Sequence, residues 1–278
     1  MTSRVLITGA GGLIASALVS FFDDVYALRH PALDITDANA VDTVFDRLDP
    51  ALVINCAVVG VDACESDHAL AKRINVDGPL NLARAAARSG AAIVHFSSNY
   101  VFSGRSREPF TIDDPAEPVN VYGETKLAGE LAVRDACEQA FIVRTSWVYG
   151  PAKNSFLSTA AAKLKRGEHV QAISDAWANT TYVNDLAERV RDIVDRGVLG
   201  TYQIVNEGVC SYETFAREAA AIVGASSGLI DVVTEASMRR PAPRPAFTPM
   251  RCLMSERLGF APMRPWQQAL RGYVDQPG

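Results

Sequence analysis

Histidine is scarce in this chain, four residues in 278, and the five cysteines (Cys56, Cys64, Cys137, Cys210 and Cys252) stand at irregular spacing with no Cys-x-x-Cys pair. That combination offers neither a zinc pattern nor a disulfide framework, so reduced thiols in a cytosol and no bound metal are the expectation. There is no long run of one charge, and the net charge of −5 argues against general binding of nucleic acid or a membrane surface. A long apolar run is also lacking, because glycines 9, 11 and 12 interrupt the first one before it could serve as a signal or a span. Repeats and low-complexity tracts are absent. What remains is the composition of an ordinary soluble protein, 48% hydrophobic and 21% charged, enough for one large domain or a domain with a small lobe, in the cytoplasm by default. Any anionic ligand must be met by local positive groups.

The N-terminal residues carry the first positive signal. Val5-Leu6-Ile7-Thr8 reads as a strand buried on both faces and runs into Gly9-Ala10-Gly11-Gly12-Leu13-Ile14-Ala15, after which Leu13, Ala17, Leu18 and Phe21 repeat at helical spacing. Strand, glycine turn and helix in that order begin a βαβ unit whose helix N-terminus can hold a pyrophosphate on backbone N–H groups. Glycine serves where phosphate approaches the backbone, and Gly9, Gly12 and Ala15 give Gly-x-x-Gly-x-x-Ala. Val25 to Leu28 reads as the second strand. Its end, where an NAD-binding unit places an acid, carries Arg29-His30 instead, which favours the 2′-phosphate of NADP. Asp34 and Ile35 fall near the adenine end in such a fold, with capping of the next helix by Thr36 or Asp37 as the competing use of that segment.

Further strands are expected at Leu52–Ile54, Ala92–Phe96 and Phe141–Val143, with a long helical pattern from about Asp67 to Arg88. Small residues after the third strand (Cys56, Ala57, Val58) would let a cofactor lie across its end. Tyr122 and Lys126, at i and i+4, would share a helix face, with Pro118 suited to the first turn and Leu127, Leu131 and Val133 continuing an apolar stripe. Tyr-x-x-x-Lys alone is a chance pattern; Ser98 at the end of the fourth strand gives it weight. Beyond Gly150 the alternation fades into mixed helices and strands. The expected fold is α/β, a Rossmann-type doubly wound parallel sheet over residues 1–150, with a substrate lobe mainly in 151–278 and part of 170–205 returning to the sheet.

These residues together resemble the extended short-chain dehydrogenases/reductases. Leu33-Asp34-Ile35-Thr36-Asp37, Val61-Asp62 with Glu65, Ile74 to Pro79, Asn99 to Gly104, Asn120 to Glu130, Arg144 to Gly150, Arg244-Pro245 and Pro265-Trp266 are similar to the dTDP-4-dehydrorhamnose reductase family over essentially the whole chain. The resemblance implies reduction of the C4 carbonyl of a nucleotide-activated deoxyhexose, with hydride from NADPH in preference to NADH. It casts Tyr122 as proton donor, Ser98 as a hydrogen-bond partner of the same oxygen, and Lys126 as the group that lowers the tyrosine pKa and holds the nicotinamide ribose. It places Leu13 and Ile14 on the cofactor, Asn99, Tyr100 and Trp147 at the sugar, and Asn154 and Arg244 nearer the nucleotide phosphates; a homodimer is its expected assembly. Two departures stand out. Asn99 replaces the usual Asp, and Val58-Val59-Gly60 replaces a longer Tyr-containing segment, which leaves the sugar and the nucleotide open. A sugar-nucleotide epimerase of the same fold and a non-catalytic NADP-binding subunit remain as alternatives; a dehydratase does not, since Asn99-Tyr100 supplies no acid pair.

Overall fold

The computed structural model describes residues 4–151 and 153–276. Strands β1 (Val5–Thr8), β2 (Val25–Leu28), β3 (Leu52–Asn55), β4 (Ala92–Ser98) and β5 (Ala140–Thr145) form a parallel sheet with a sixth strand, Gly200–Gln203, in the order sixth-β5-β4-β3-β1-β2. β1, β3 and β5 are buried along their whole length because helices cover both faces of the sheet. One face carries Leu6, Val53, Ile93 and Ile142 against α2 (Ala38–Leu48) and the later helices α5 (Gly78–Ser89) and α6 (Val121–Ala136). The other carries Ile7, Ile54, Val94 and Val143 against α1 (Leu13–Leu18) and the helix Val183–Arg196. A third cluster, around Tyr149, Phe215 and Trp266, makes the core of the remaining lobe.

The long helical pattern after residue 67 is interrupted. It contains α4 (His68–Lys72), a wider π turn over Arg73–Asp77, and α5 (Gly78–Ser89). Pro79 has no N–H to offer the carbonyl of Asn75, so the normal i to i−4 ladder cannot run through this point. Asn75 is fully buried in the turn; its Oδ1 accepts from the Val59 N–H at 3.0 Å and its amide donates to Thr125 Oγ1 at 3.1 Å.

Helix α6 (Val121–Ala136) starts at Asn120, whose side chain accepts from the Gly123 N–H at 2.8 Å. Pro118 therefore lies before the helix rather than in its first turn, and its ring packs against Gly123. Of the expected apolar stripe, Leu131 is 45% exposed and Leu127 half-buried, and only Val133 is fully buried. The face turned inward is Gly123, Lys126, Gly129, Glu130 and Val133, a spacing of three and four that carries two charges into the core. Glu130 is neutralised there by a bidentate pair with Arg144 and also accepts from Ser97 Oγ. The glycines are sites of close approach: a Cβ on Gly129 would lie 2.3 Å from the Asn75 carbonyl oxygen, and one on Gly123 2.1 Å from that of Tyr100.

Candidate active site

A cleft of about 750 Å³ opens where β1, β3, β4 and β5 end. Its floor at one end is the glycine turn. Gly9 has φ +69°, and a Cβ there would lie 2.8 Å from the Ala57 nitrogen, so the turn is pinned against the chain leaving β3. Gly12 stands just before α1, and Gly11, Gly12, Leu13 and Ile14 line the cleft with Cys56, Ala57 and Val58. The exposed Arg29 places a guanidinium nitrogen 4.0 Å from where a Cβ on Gly11 would sit, and makes no ion pair among the described residues. Asp34 and Ile35 lie outside this cleft and have local partners. Asp34 accepts from the N–H and hydroxyl of Thr36 at 2.9 and 2.8 Å, bonds that hold its carboxyl below the usual range. Ile35 is in the core against Gly78, and Asp37, not Thr36, caps α2.

Ser98, Tyr122 and Lys126 converge on the middle of the cleft. Ser98 is buried at the end of β4; its Oγ accepts from the Tyr100 N–H at 3.2 Å and donates to Asn99 Oδ1 at 3.1 Å. The Asn99 amide donates in turn to Thr248 Oγ1 at 2.7 Å, so both ends of this side chain are used in holding Ser98 and the C-terminal strap. Burial pushes the Tyr122 phenol up to about 12, with the Ser98 hydroxyl pulling it back. The phenol is therefore neutral at ordinary pH, the form that can give up a proton. Desolvation lowers the pKa of Lys126 itself to about 8, the nearby Glu130 opposing the shift.

Aromatic rings and cations form the other half. Tyr100 meets Tyr122 edge to face, with centroids 5.9 Å apart. Trp147 stacks on Tyr212 at 4.0 Å, and Phe156 abuts Tyr212 edge-on at 5.4 Å. Trp147 has φ +40°, a left-handed conformation that costs a bulky residue about 1–3 kcal/mol. The stacking and two bonds from Thr181, its N–H to the Trp147 carbonyl at 3.3 Å and its hydroxyl to the Ser146 carbonyl at 2.7 Å, hold that turn in place. Asn154 and Lys153 are exposed at the rim. Arg244 also lines the cleft, but its guanidinium is engaged by Asp62 of α3 (Val61–Ser66) at 2.7 and 2.8 Å. Arg240 lies beside it, 3.4 Å from Glu235.

The cleft fits a dinucleotide. The glycine cradle leaves backbone approachable, Arg29 stands beside it, and the buried hydroxyls Thr145 Oγ1 and Ser146 Oγ, of residues that line the cleft, have no hydrogen-bond partner among the described residues. Tyr212, Arg240, Lys153, Phe156 and this hydroxyl pair carried no assignment from sequence; only Thr145-Ser146, at a strand's carboxyl end, had a signal that could have raised them. Among the described residues no cluster of His, Cys, Asp and Glu could hold a metal ion.

Residues 3–277 match the family described as RmlD substrate binding domain. The chain belongs to that family. Among RmlD-family relatives, a dTDP-4-dehydrorhamnose reductase of Mycolicibacterium smegmatis is 37% identical over 99% of this chain and 86% of its own. A probable dTDP-4,6-dihydroxy-2-methyloxan-3-one 4-ketoreductase of Streptomyces antibioticus is 37% identical over 96% of this chain and 93% of its own. The crystal structure of a dTDP-4-dehydrorhamnose reductase from Bacillus anthracis, in complex with NADP, superposes with a TM-score of 0.94 at 32% identity, covering 99% of each chain. The RmlD-family likeness thus spans both the sheet and the lobe.

Proposed function

We propose that this RmlD-family protein is an NADPH-dependent reductase of the C4 carbonyl of a nucleotide-activated deoxyhexose, with Tyr122 as proton donor. The observation that carries the reading is the meeting of a neutral, half-buried Tyr122 with Ser98 and Lys126 in one cleft whose far end is a glycine cradle. The names of the relatives support the dTDP-sugar class of substrate, and the NADP complex of the Bacillus anthracis relative supports the cofactor.

Bound NADPH supplies the hydride. Gly9, Gly12, Leu13, Ile14, Cys56, Ala57 and Val58 would hold it, with Arg29 against the 2′-phosphate and Lys126 toward the nicotinamide ribose; Asp34 and Ile35 would support the adenine end from behind. Tyr122 gives its phenolic proton to the carbonyl oxygen as that oxygen becomes a hydroxyl. Ser98 donates to the same oxygen once its hydroxyl turns from Asn99, which keeps the second role of orienting it. Tyr100 and Trp147 flank the sugar, and Asn154 and Arg244 face the nucleotide phosphates. Residues 1–150 would then serve mainly the cofactor and 151–278 mainly the sugar nucleotide. No helix among the described residues is long and apolar enough to cross a membrane. A homodimer in the cytoplasm is the proposed working form.

The test is NADPH consumption against a panel of keto-sugars, free and nucleotide-linked, with wild type and Tyr122→Phe. Turnover should require the nucleotide and should fall in the variant by the ~10²–10⁴-fold typical of general acid catalysis, with cofactor affinity barely moved. Undiminished turnover by Tyr122→Phe would sink the assignment of the proton donor.

A further inference from the structure

Lys126 is the last of four buried polar side chains that run in a line through the sheet. Thr8 Oγ1 donates to Asn55 Oδ1 at 2.7 Å, the Asn55 amide nitrogen meets His95 Nδ1 at 3.1 Å, and His95 Nε2 faces Lys126 Nζ at 3.5 Å. Thr8, Asn55, His95 and Lys126 are each no more than 2% exposed. The direction of every bond in this line follows from one backbone group. The Ala57 N–H can only donate, and it points at Asn55 Oδ1 at 3.2 Å, which fixes that atom as the carbonyl oxygen and the other as the amide. The amide then donates to His95 Nδ1, which must carry a lone pair. A neutral imidazole with its lone pair on Nδ1 has its hydrogen on Nε2.

We propose that His95 is a positioning residue for Lys126: Asn55 holds its imidazole as the Nε2–H tautomer, so that it presents a donor, not an acceptor, to the back of the lysine amine. A charged ammonium has three N–H groups and no lone pair, and finds nothing to bond on that side; its donors are left for the cleft. A neutral amine, by contrast, can accept from the Nε2–H. The imidazole therefore favours release of the lysine proton, in the same direction as desolvation, which already brings Lys126 to about 8. Burial also keeps His95 itself from taking up a proton, which preserves the tautomer. The titratable groups around the amine are Tyr122 and Glu130 on its own helix, His95 of β4, Cys56 after β3 and Cys64 of α3; Glu130 opposes the effect but is tied to Arg144.

The inference rests on Lys126 being part of the working site, and its test separates the two. His30, His68 and His169 are exposed, so His95 is the one histidine of four that is buried, and it can be followed in protein labelled with ¹⁵N at histidine. The expected spectrum is an Nε2–H tautomer that stays unprotonated well below the ordinary imidazole range, with a small shift at both nitrogens near pH ~8 as the lysine titrates; that shift should vanish in Lys126→Met. An Nδ1–H tautomer, or a shift near pH 8 that survives Lys126→Met, overturns the proposal. In kinetics, His95→Gln can turn its amide oxygen to the ammonium, and should move the alkaline limb of kcat/KM upward by at least about one pH unit. An unmoved limb in a folded His95→Gln protein also overturns it. If the spectrum is as expected while Lys126→Met keeps full turnover, the tautomer stands and the catalytic reading of the cleft fails.

Discussion

Arg244 holds Asp62 through two hydrogen bonds, of 2.7 and 2.8 Å, across 182 residues of chain. Asp62 also accepts from the Ala242 N–H at 3.3 Å, so one carboxylate gathers the C-terminal strap onto α3 at the mouth of the cleft. Its bond to Arg244 keeps that carboxyl below its ordinary pKa; the contribution to stability is present above the usual carboxylate range and is lost as pH falls through the lowered value. Because Asp62 is half exposed, Asp62→Asn should cost only about 1 kcal/mol. Hydrogen exchange should nevertheless rise across residues 239–246, and KM for the sugar nucleotide should rise with little change in kcat. Unchanged exchange there means that the strap is held by other contacts.

Lys126→Met should abolish turnover and yet stabilise the fold. The folded-state value near 8 lies below the ordinary 10.5, so at pH below 8 both folded and unfolded chains are protonated and the folded one bears the full cost of a buried ammonium. As pH rises from 8 to 10.5 the folded chain sheds its proton first and the cost shrinks. The gain from methionine is therefore largest below pH 8, on the order of 3 kcal/mol, and fades toward pH 10. Urea melts at the two pH values check it, and a variant less stable than wild type at pH 7 contradicts it.

Arg29→Ala should shrink the preference for NADPH over NADH by about 1.5–3 kcal/mol, the usual worth of a charge-assisted contact. Equilibrium titration with both cofactors is sufficient. Equal affinities in wild type and variant would make Arg29 a solvated loop residue beside Gly11.

Trp147→Ala should raise KM strongly while NADPH affinity stays nearly constant, because the ring lines the cleft on the side of Tyr212. The left-handed φ partly offsets the loss in stability, since alanine bears that conformation with less crowding than tryptophan. If the folded variant shows normal kinetics and only a lower melting temperature, the ring is a packing group.

The strands of the parallel sheet and the glycine turn were legible because they rest on local pattern: buried runs, a glycine-rich turn whose Gly9 takes φ +69°, and helical repeats after it. Tyr122, Lys126 and Ser98 were legible as residues, and the cleft does gather them. Their electrostatics were not. The state of Tyr122 depends on how deeply the ring sits, which no spacing of letters encodes. Leu131 and Val133 show a similar limit at the level of packing: both are apolar and near neighbours in sequence, but β4 and the π turn select the face with Lys126 and Glu130. The partner of Arg244 lies in another element far along the chain, and the tautomer of His95 follows from the backbone of Ala57, so both required coordinates.

The absent side chain at Gly123 ties catalysis to shape. Helix α6 rests directly on the carbonyl of Tyr100, leaving no room for even a methyl group between the turn that carries Tyr100, the proposed wall, and the helix that carries Tyr122, the proposed acid. Tyr100 and Tyr122 are therefore packed as one unit, and under the proposed reaction a larger sugar could not be admitted by pushing Tyr100 back without withdrawing Tyr122 from the carbonyl. Variation in what this cleft accepts has to come from the opposite bank, where Tyr212, Arg240 and the strap can be exchanged while the reach of the proton stays the same.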